Sequence, residues 1–228
     1  MRIESGQGVL LRNKSFVEGS VDHGGIQPHY FIDLSQPKLA GLLKKVRMIK
    51  ADYPVSGSSW KVAGKIRELV RQTLPRGAYD EPAYISLLAA RKAEGRMVTL
   101  EDYVERGCGV CRENALLTHY LLTEAGIENR YLYVQVQIGH HFEDHAINVL
   151  TIDHEEWIMD SYNVTFNGLH YDELLRPEGF NPLKDKFAPV TPQSFIDQYK
   201  KGFAESPSDY VVRIVKINSY PQYAVPAP

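Results

Sequence analysis

The stretch from Cys111 to Glu124 constrains the fold more than any other part of the chain. Ala115, Leu116, Leu117, Tyr120, Leu121 and Leu122 fall on more than one face of a helix, so this helix needs neighbours on several sides and belongs in the middle of the structure. Gly126 is placed to end it in the left-handed conformation. From Arg130 to Ile138, Leu132, Val134, Val136 and Ile138 alternate with Tyr131, Tyr133, Gln135 and Gln137, the period of a strand. A polar loop, 139–144, leads to a second strand, His145 to Ile152. Asp153-His154 reads as a turn and Glu156 to Asp160 as a third strand. A helix feeding strands joined by short turns calls for an α+β domain, the helix packed on an antiparallel β-sheet.

Elsewhere the periodicity predicts helices over Lys38–Lys50, Trp60–Thr73 and Pro82–Glu94. Short helices are expected near Tyr171–Leu175 and Pro192–Lys200, and strands over Tyr30–Leu34 and Tyr210–Ile217. The turn-forming run Ser56-Gly57-Ser58-Ser59 divides an N-terminal extension of uncertain structure, residues 1–58, from a main domain, residues 59–228.

With 43% hydrophobic and 24% charged residues in 228, the chain can bury an ordinary core. A formal net charge of -2 argues against a phosphate-binding surface and so against nucleic acid as partner. No run approaches the roughly 18–20 apolar residues of a membrane span. The polar, glycine-rich start lacks the layout of a secretory signal, so the expected location is the cytoplasm, or outside the cell by a route reading no classical signal. Nothing in the sequence sets the oligomeric state.

The two cysteines, Cys108 and Cys111, stand three apart, too few for a disulfide framework. Three readings compete. They are a Cys-x-x-Cys thiol–disulfide pair, two ligands of a zinc site completed by His140 or His141 and His145, or one nucleophile with a bystander. The last needs no cofactor. Cys111 sits where a glycine-containing turn, Gly107-Cys108-Gly109-Val110, enters the central helix. Unpaired N–H groups and the positive end of the helix dipole there favour a thiolate, and the same N–H groups suit an oxyanion.

A nucleophilic cysteine also needs a proton carrier and a group to orient it. If Asp153-His154 is a two-residue hairpin loop, Ile152 pairs with Glu155 and His145 falls opposite Tyr162. Asp160 then shares the parity of Tyr162 and lies one diagonal step from His145, roughly 7–8 Å at Cα, a gap side chains can close. A three-residue loop would put the two on opposite faces. Asp144, the alternative acid, adjoins His145 in an extended strand and points the other way. Cys111, His145 and Asp160 are therefore the candidate catalytic residues.

Gly109-Val110-Cys111-Arg112-Glu113-Asn114-Ala115-Leu116-Leu117 resembles the nucleophile helix of the transglutaminase-like cysteine enzymes. Asp144-His145-Ala146-Ile147-Asn148-Val149 is similar to that superfamily's histidine strand, and Trp157-Ile158-Met159-Asp160 to its tryptophan-to-aspartate strand. The resemblance covers roughly residues 60–163, with the motifs in order. It differs at Ile147, where an aromatic often stands. It implies a papain/transglutaminase-like core over residues 59–228 and a Cys-His-Asp triad acting on amide bonds of a protein or peptide substrate through a thioester. The superfamily includes cross-linkers, deamidases, peptidases and glycoprotein amidases. A thiol–disulfide oxidoreductase and a catalytically inactive interaction module remain as alternatives.

Overall fold

The computed structural model describes residues 13–17, 28–54, 57–163, 167–181, 211–218 and 222–224. At its centre is helix α5, Cys111–Ala125, and every residue from Cys111 to Leu122 is buried. Its neighbours are α1 (Pro37–Asp52), α2 (Ser59–Thr73) and α4 (Leu100–Arg106) among the helices, and β4 (Asn129–Ile138) and β5 (His141–Ile152) below. Gly126, at φ 76°, ends α5 in the left-handed conformation, as glycine without a Cβ can at little cost.

The sheet under α5 runs β6-β5-β4-β7, where β6 is Glu155–Met159 and β7 is Val212–Asn218, and every pairing is antiparallel. Both of its faces are covered. Tyr131, Ala146, Leu150, Ile152 and Met159 join the helices. The alternating row Leu132, Val134, Val136 and Ile138 instead packs on the opposite side with Ile147, Val149 and Ile158, against Leu169, Phe180 and helix α6 (Tyr171–Leu174). The domain is thus α+β, with helices on an antiparallel sheet.

Helix α1 contributes Leu39, Leu42 and Val46 to the core shared with α5. Its first turn has no side-chain cap of its own. Instead the Glu101 carboxylate of α4 accepts from the Lys38 and Leu39 amides at 2.7 and 2.9 Å, meeting unpaired N–H groups at a positive dipole end. Helix α3 (Pro82–Ala93) adds Tyr84 and Leu87.

A second, smaller sheet has the order β3-β2-β1-β8: Val98–Thr99, Tyr30–Ile32, Ser15–Val17 and Gln222–Ala224. Of these only Tyr30–Ile32 falls within a predicted strand, and it stops short of Leu34. Helix α4, β1, β3 and β8 were not expected from the sequence. The expected loop before His145 is also corrected, because β5 begins at His141 and pairs with Ile138 across a turn at Gly139-His140. The expected helix at 192–200 lies outside the described residues. Among the described residues no helix is long and apolar enough to cross a membrane.

Candidate active site

The hairpin between β5 and β6 sets the geometry. Asp153 and His154 both have positive φ, 55° and 69°, as the mirror-image two-residue turn requires. Ile152 pairs with Glu155 and Asn148 with Met159. Strand β6 stops there, one residue short of Asp160, leaving β5 uncovered beyond it. In that gap His145 Nε2 meets Asp160 Oδ2 at 2.6 Å, with 3% and 1% of the two side chains exposed. Asp144 is exposed.

Asp160 has a second task. Its Oδ1 accepts from the Tyr162 and Asn163 amides at 2.9 and 2.7 Å, closing a turn of the kind aspartate favours. Its own N–H donates to Asn167 Oδ1 at 3.3 Å. Two helices hold this turn from above. Arg67 Nε of α2 donates to the Asp160 carbonyl at 2.9 Å, and Thr118 Oγ1 of α5 lies 2.7 Å from Ser161 Oγ. The chain after β6 is therefore fixed to the helix that carries Cys111.

Cys111 is the first residue of α5, 7% exposed. It lies near enough to the His145 ring to help raise that ring's pKa. Nε2 of that ring is taken by Asp160, so a bond from the ring to the sulfur would use Nδ1. Burial, the largest influence, pulls the His145 pKa down. The charge and hydrogen bond of Asp160, together with those of Cys111, outweigh it and hold the imidazole well above its ordinary 6.5. Both neighbours thus favour the protonated form of the ring over the neutral one.

The approach turn is tightly packed. A Cβ on Gly109 would lie 3.0 Å from Glu113 Cβ, and one on Gly77 would lie 3.2 Å from the Gly109 carbonyl. Val110, which caps α5, has no side-chain acceptor to offer. Its own amide donates to Glu113 Oε2 at 3.0 Å, so that N–H is not free for a substrate. Glu113 Oε1 pairs with Arg112 Nε at 2.8 Å, both side chains fully buried. Cys108 is 3% exposed. Burial first, then the Glu113 charge, push its thiol up to about 11. Both cysteines are free thiols. Among the described residues no three His, Cys, Asp or Glu side chains gather as metal ligands would, so Cys108, Cys111 and the histidines do not form the zinc arrangement considered from sequence.

One residue beside the site was not singled out from sequence. The Tyr162 ring centroid lies 6.2 Å from that of His145, and its hydroxyl donates to the Gly77 carbonyl. The Asp-Ser-Tyr-Asn run signals a side-chain-closed turn, but only the fold brings its tyrosine to the cysteine.

The sequence profile of the transglutaminase-like domain matches residues 45–176, more than half of the chain and all three motif segments. The chain belongs to the transglutaminase-like domain family. No curated protein matches it. Among solved structures it is similar to a Cytophaga hutchinsonii protein provisionally designated a cysteine protease, with 17% identity over 57% of this chain and a TM-score of 0.39. The match takes in 40% of that longer protein. Membership of the transglutaminase-like family suggests a cysteine-dependent enzyme.

Proposed function

We propose that this chain is a cysteine-dependent acyl-transfer enzyme on a papain/transglutaminase-like core, acting on amide bonds of protein or peptide substrates. The observation that carries the reading is the buried 2.6 Å contact of His145 with Asp160, on a ring whose pKa Cys111 also raises. On this reading residues 59–228 form the catalytic domain, and residues 1–58 are an extension whose helix α1 buttresses α5.

In the proposed cycle the Cys111 thiol gives its proton to His145, and the sulfur attacks the amide carbonyl. The tetrahedral oxyanion is met by the Cys111 amide at the head of α5, since the Val110 amide is already bonded to Glu113. As the carbon–nitrogen bond breaks, His145 passes its proton to the departing ammonia or amine, leaving a thioester on Cys111. Water or a second amine then attacks the thioester, loses a proton through His145 and releases Cys111. Asp160 fixes the imidazole's tautomer and stabilises its charged form. Water as acceptor makes the enzyme a hydrolase, deamidase or peptidase; an amine makes it a cross-linking acyltransferase.

The test is acyl-enzyme trapping. A glutamine-containing peptide library incubated with the chain and hydroxylamine should release ammonia and yield hydroxamate, and the acyl adduct should map to Cys111 by mass spectrometry. Cys111→Ala and His145→Ala should abolish turnover, while Asp160→Asn should leave a weak remnant. Cys108→Ser should stay active within a few-fold. Loss of activity in Cys108→Ser equal to that in Cys111→Ala, or efficient reduction of disulfides by the wild type, would falsify the acyl-transfer reading and favour thiol–disulfide exchange.

A further inference from the structure

The exit of α2 borders the Asp160 turn at Tyr162. Arg76 stacks there on Tyr162, its Cζ 5.3 Å from the ring centroid, with the Tyr162 hydroxyl anchored to the next carbonyl, Gly77. The same ring flanks His145 at 6.2 Å between centroids, and the hydroxyl is near enough to Cys111 to feel its charge. Arg76 is exposed, so its charge is open to solvent beside Tyr162.

Among the described residues most other arginines are neutralised, Arg106 and Arg213 excepted. Arg47, Arg91, Arg112 and Arg130 each face a carboxylate at 2.5–2.8 Å. Among the described residues Arg67, Arg71 and Arg76, in line along α2 and its exit, are in no ion pair. The first two are spent on the carbonyls of Asp160 and Ser161, at 2.9 and 3.4 Å. Arg76 instead lies over the Tyr162 ring, its influence on that side chain the largest after burial. Two carboxylates lie nearby: Glu143, whose charge reaches Tyr162, and Glu81, which packs against Gly77. Neither is within ion-pair distance of Arg76. In a chain of net charge -2, this cationic edge is local to the proposed site.

We infer that the acyl donor taken by this site carries a carboxylate close to the reacting amide, bound by Arg76 against the face of Tyr162. The inference rests on the acyl-transfer reading and adds the substrate class, an acidic peptide segment. A planar guanidinium held on an aromatic face is pre-organised to grip a carboxylate with two parallel hydrogen bonds. Arg76 is linked to His145 through one ring, 5.3 Å and then 6.2 Å between centres, so that carboxylate would lie a few residues of extended peptide from the reacting carbon. Such a contact orients the acyl group without entering the chemistry, so Arg76 is a specificity residue.

Two alkylating reagents of nearly equal size, iodoacetate and iodoacetamide, differ in the charge that matters. On the full chain, second-order rate constants for labelling Cys111 are read by mass spectrometry at low ionic strength. The ratio of the iodoacetate to the iodoacetamide rate constant should be about five-fold lower in Arg76→Gln than in the wild type, as expected for one charge removed at this range. Arg76→Lys, which keeps the charge, should recover at least half of the loss, and high salt should shrink the wild-type ratio. An unchanged ratio in Arg76→Gln, or an equally low ratio in Arg76→Lys, overturns the proposal while leaving Cys111 a nucleophile. Failure of both reagents to label Cys111 in the folded wild type removes the acyl-transfer reading, and this proposal with it.

Discussion

Thr118 Oγ1 and Ser161 Oγ lie 2.7 Å apart, joining the second turn of the cysteine helix to the residue after Asp160. Both side chains are buried, and the Thr118 hydroxyl also donates to the Asn114 carbonyl at 2.8 Å. Ser161 is then the donor between the two hydroxyls. Positions of Cys111 and Asp160 are thus coupled through one pair of hydroxyls.

Thr118→Val keeps the shape and strands the Ser161 hydroxyl, at a cost of about 1–3 kcal/mol. Turnover should fall several-fold, because the turn carrying Asp160 loses its tie to α5. Adding Ser161→Ala should return part of the stability and none of the activity. Urea unfolding and initial rates check both parts. A single variant as stable and as active as wild type would show the tie to be unimportant.

The raised pKa of His145 has a sign that can be measured. The folded value exceeds the ordinary 6.5, so the protonated ring's contribution to stability is fully present below that value. It is lost as pH rises through the folded pKa. Asp160→Asn removes the charge chiefly responsible for the rise, so the imidazole titration followed by NMR should move down, and the alkaline loss of stability should start at lower pH. Cys111→Ala should move it the same way by a smaller step. The wild-type transition belongs to the Cys111–His145 pair, with macroscopic values. A His145 titrating at its ordinary value in the wild type contradicts the arrangement.

The hairpin that aligns His145 and Asp160 was readable because a period of two makes parity a matter of counting. Five of the helices also announced themselves, several with proline or glycine at their ends. What was hidden has physical reasons. Helix α4 presents Glu101 and Asp102 inward, where one caps α1 and the other binds Arg91 at 2.6 Å, so its buried face is charged and its apolar rhythm broken. The Thr99–Asp102 capping box was the local clue to its start. Strand β1 pairs with β8 from the far end of the chain, and no local pattern reports so remote a partner. Residues 141–144 lie exposed in β5, which leaves no alternation to read. At the site, the residue types were legible, but Thr118, Arg67 and Tyr162 matter only through what the fold brings beside them.

His154 carries φ 69° without being glycine, a conformation that costs a side-chain-bearing residue about 1 kcal/mol. His154→Gly should relieve it, and the Asp-Gly pair is what this turn type favours. Part of the gain is offset because glycine has more freedom when unfolded. The net expectation is a stabilisation of about 0.5 kcal/mol, with acyl transfer unchanged, since the turn lies at the end of the hairpin remote from the site. Destabilisation by a comparable amount would mean that the histidine has a contact outweighing its strain.

Glu113 links the cap of α5 to the state of Cys108. One carboxylate oxygen takes the Val110 amide and the other the Arg112 guanidinium, while its charge is the second largest cause, after burial, of the elevated Cys108 thiol. Glu113→Gln keeps the shape and removes the charge. It can still accept from Val110, but it leaves the Arg112 guanidinium, fully buried, without its carboxylate, at a cost of about 3–5 kcal/mol. That is a large share of a domain's stability, and denaturant titration should register it. The Cys108 thiol should titrate below about 11 yet stay above its ordinary 9.0, because burial remains. In a Cys111→Ala background, where Cys108 is the one thiol left, its alkylation at pH 9 should therefore quicken on adding Glu113→Gln, provided both proteins are held well below their unfolding midpoints. An unchanged rate would assign the elevated thiol to burial alone and dissolve the proposed electrostatic link.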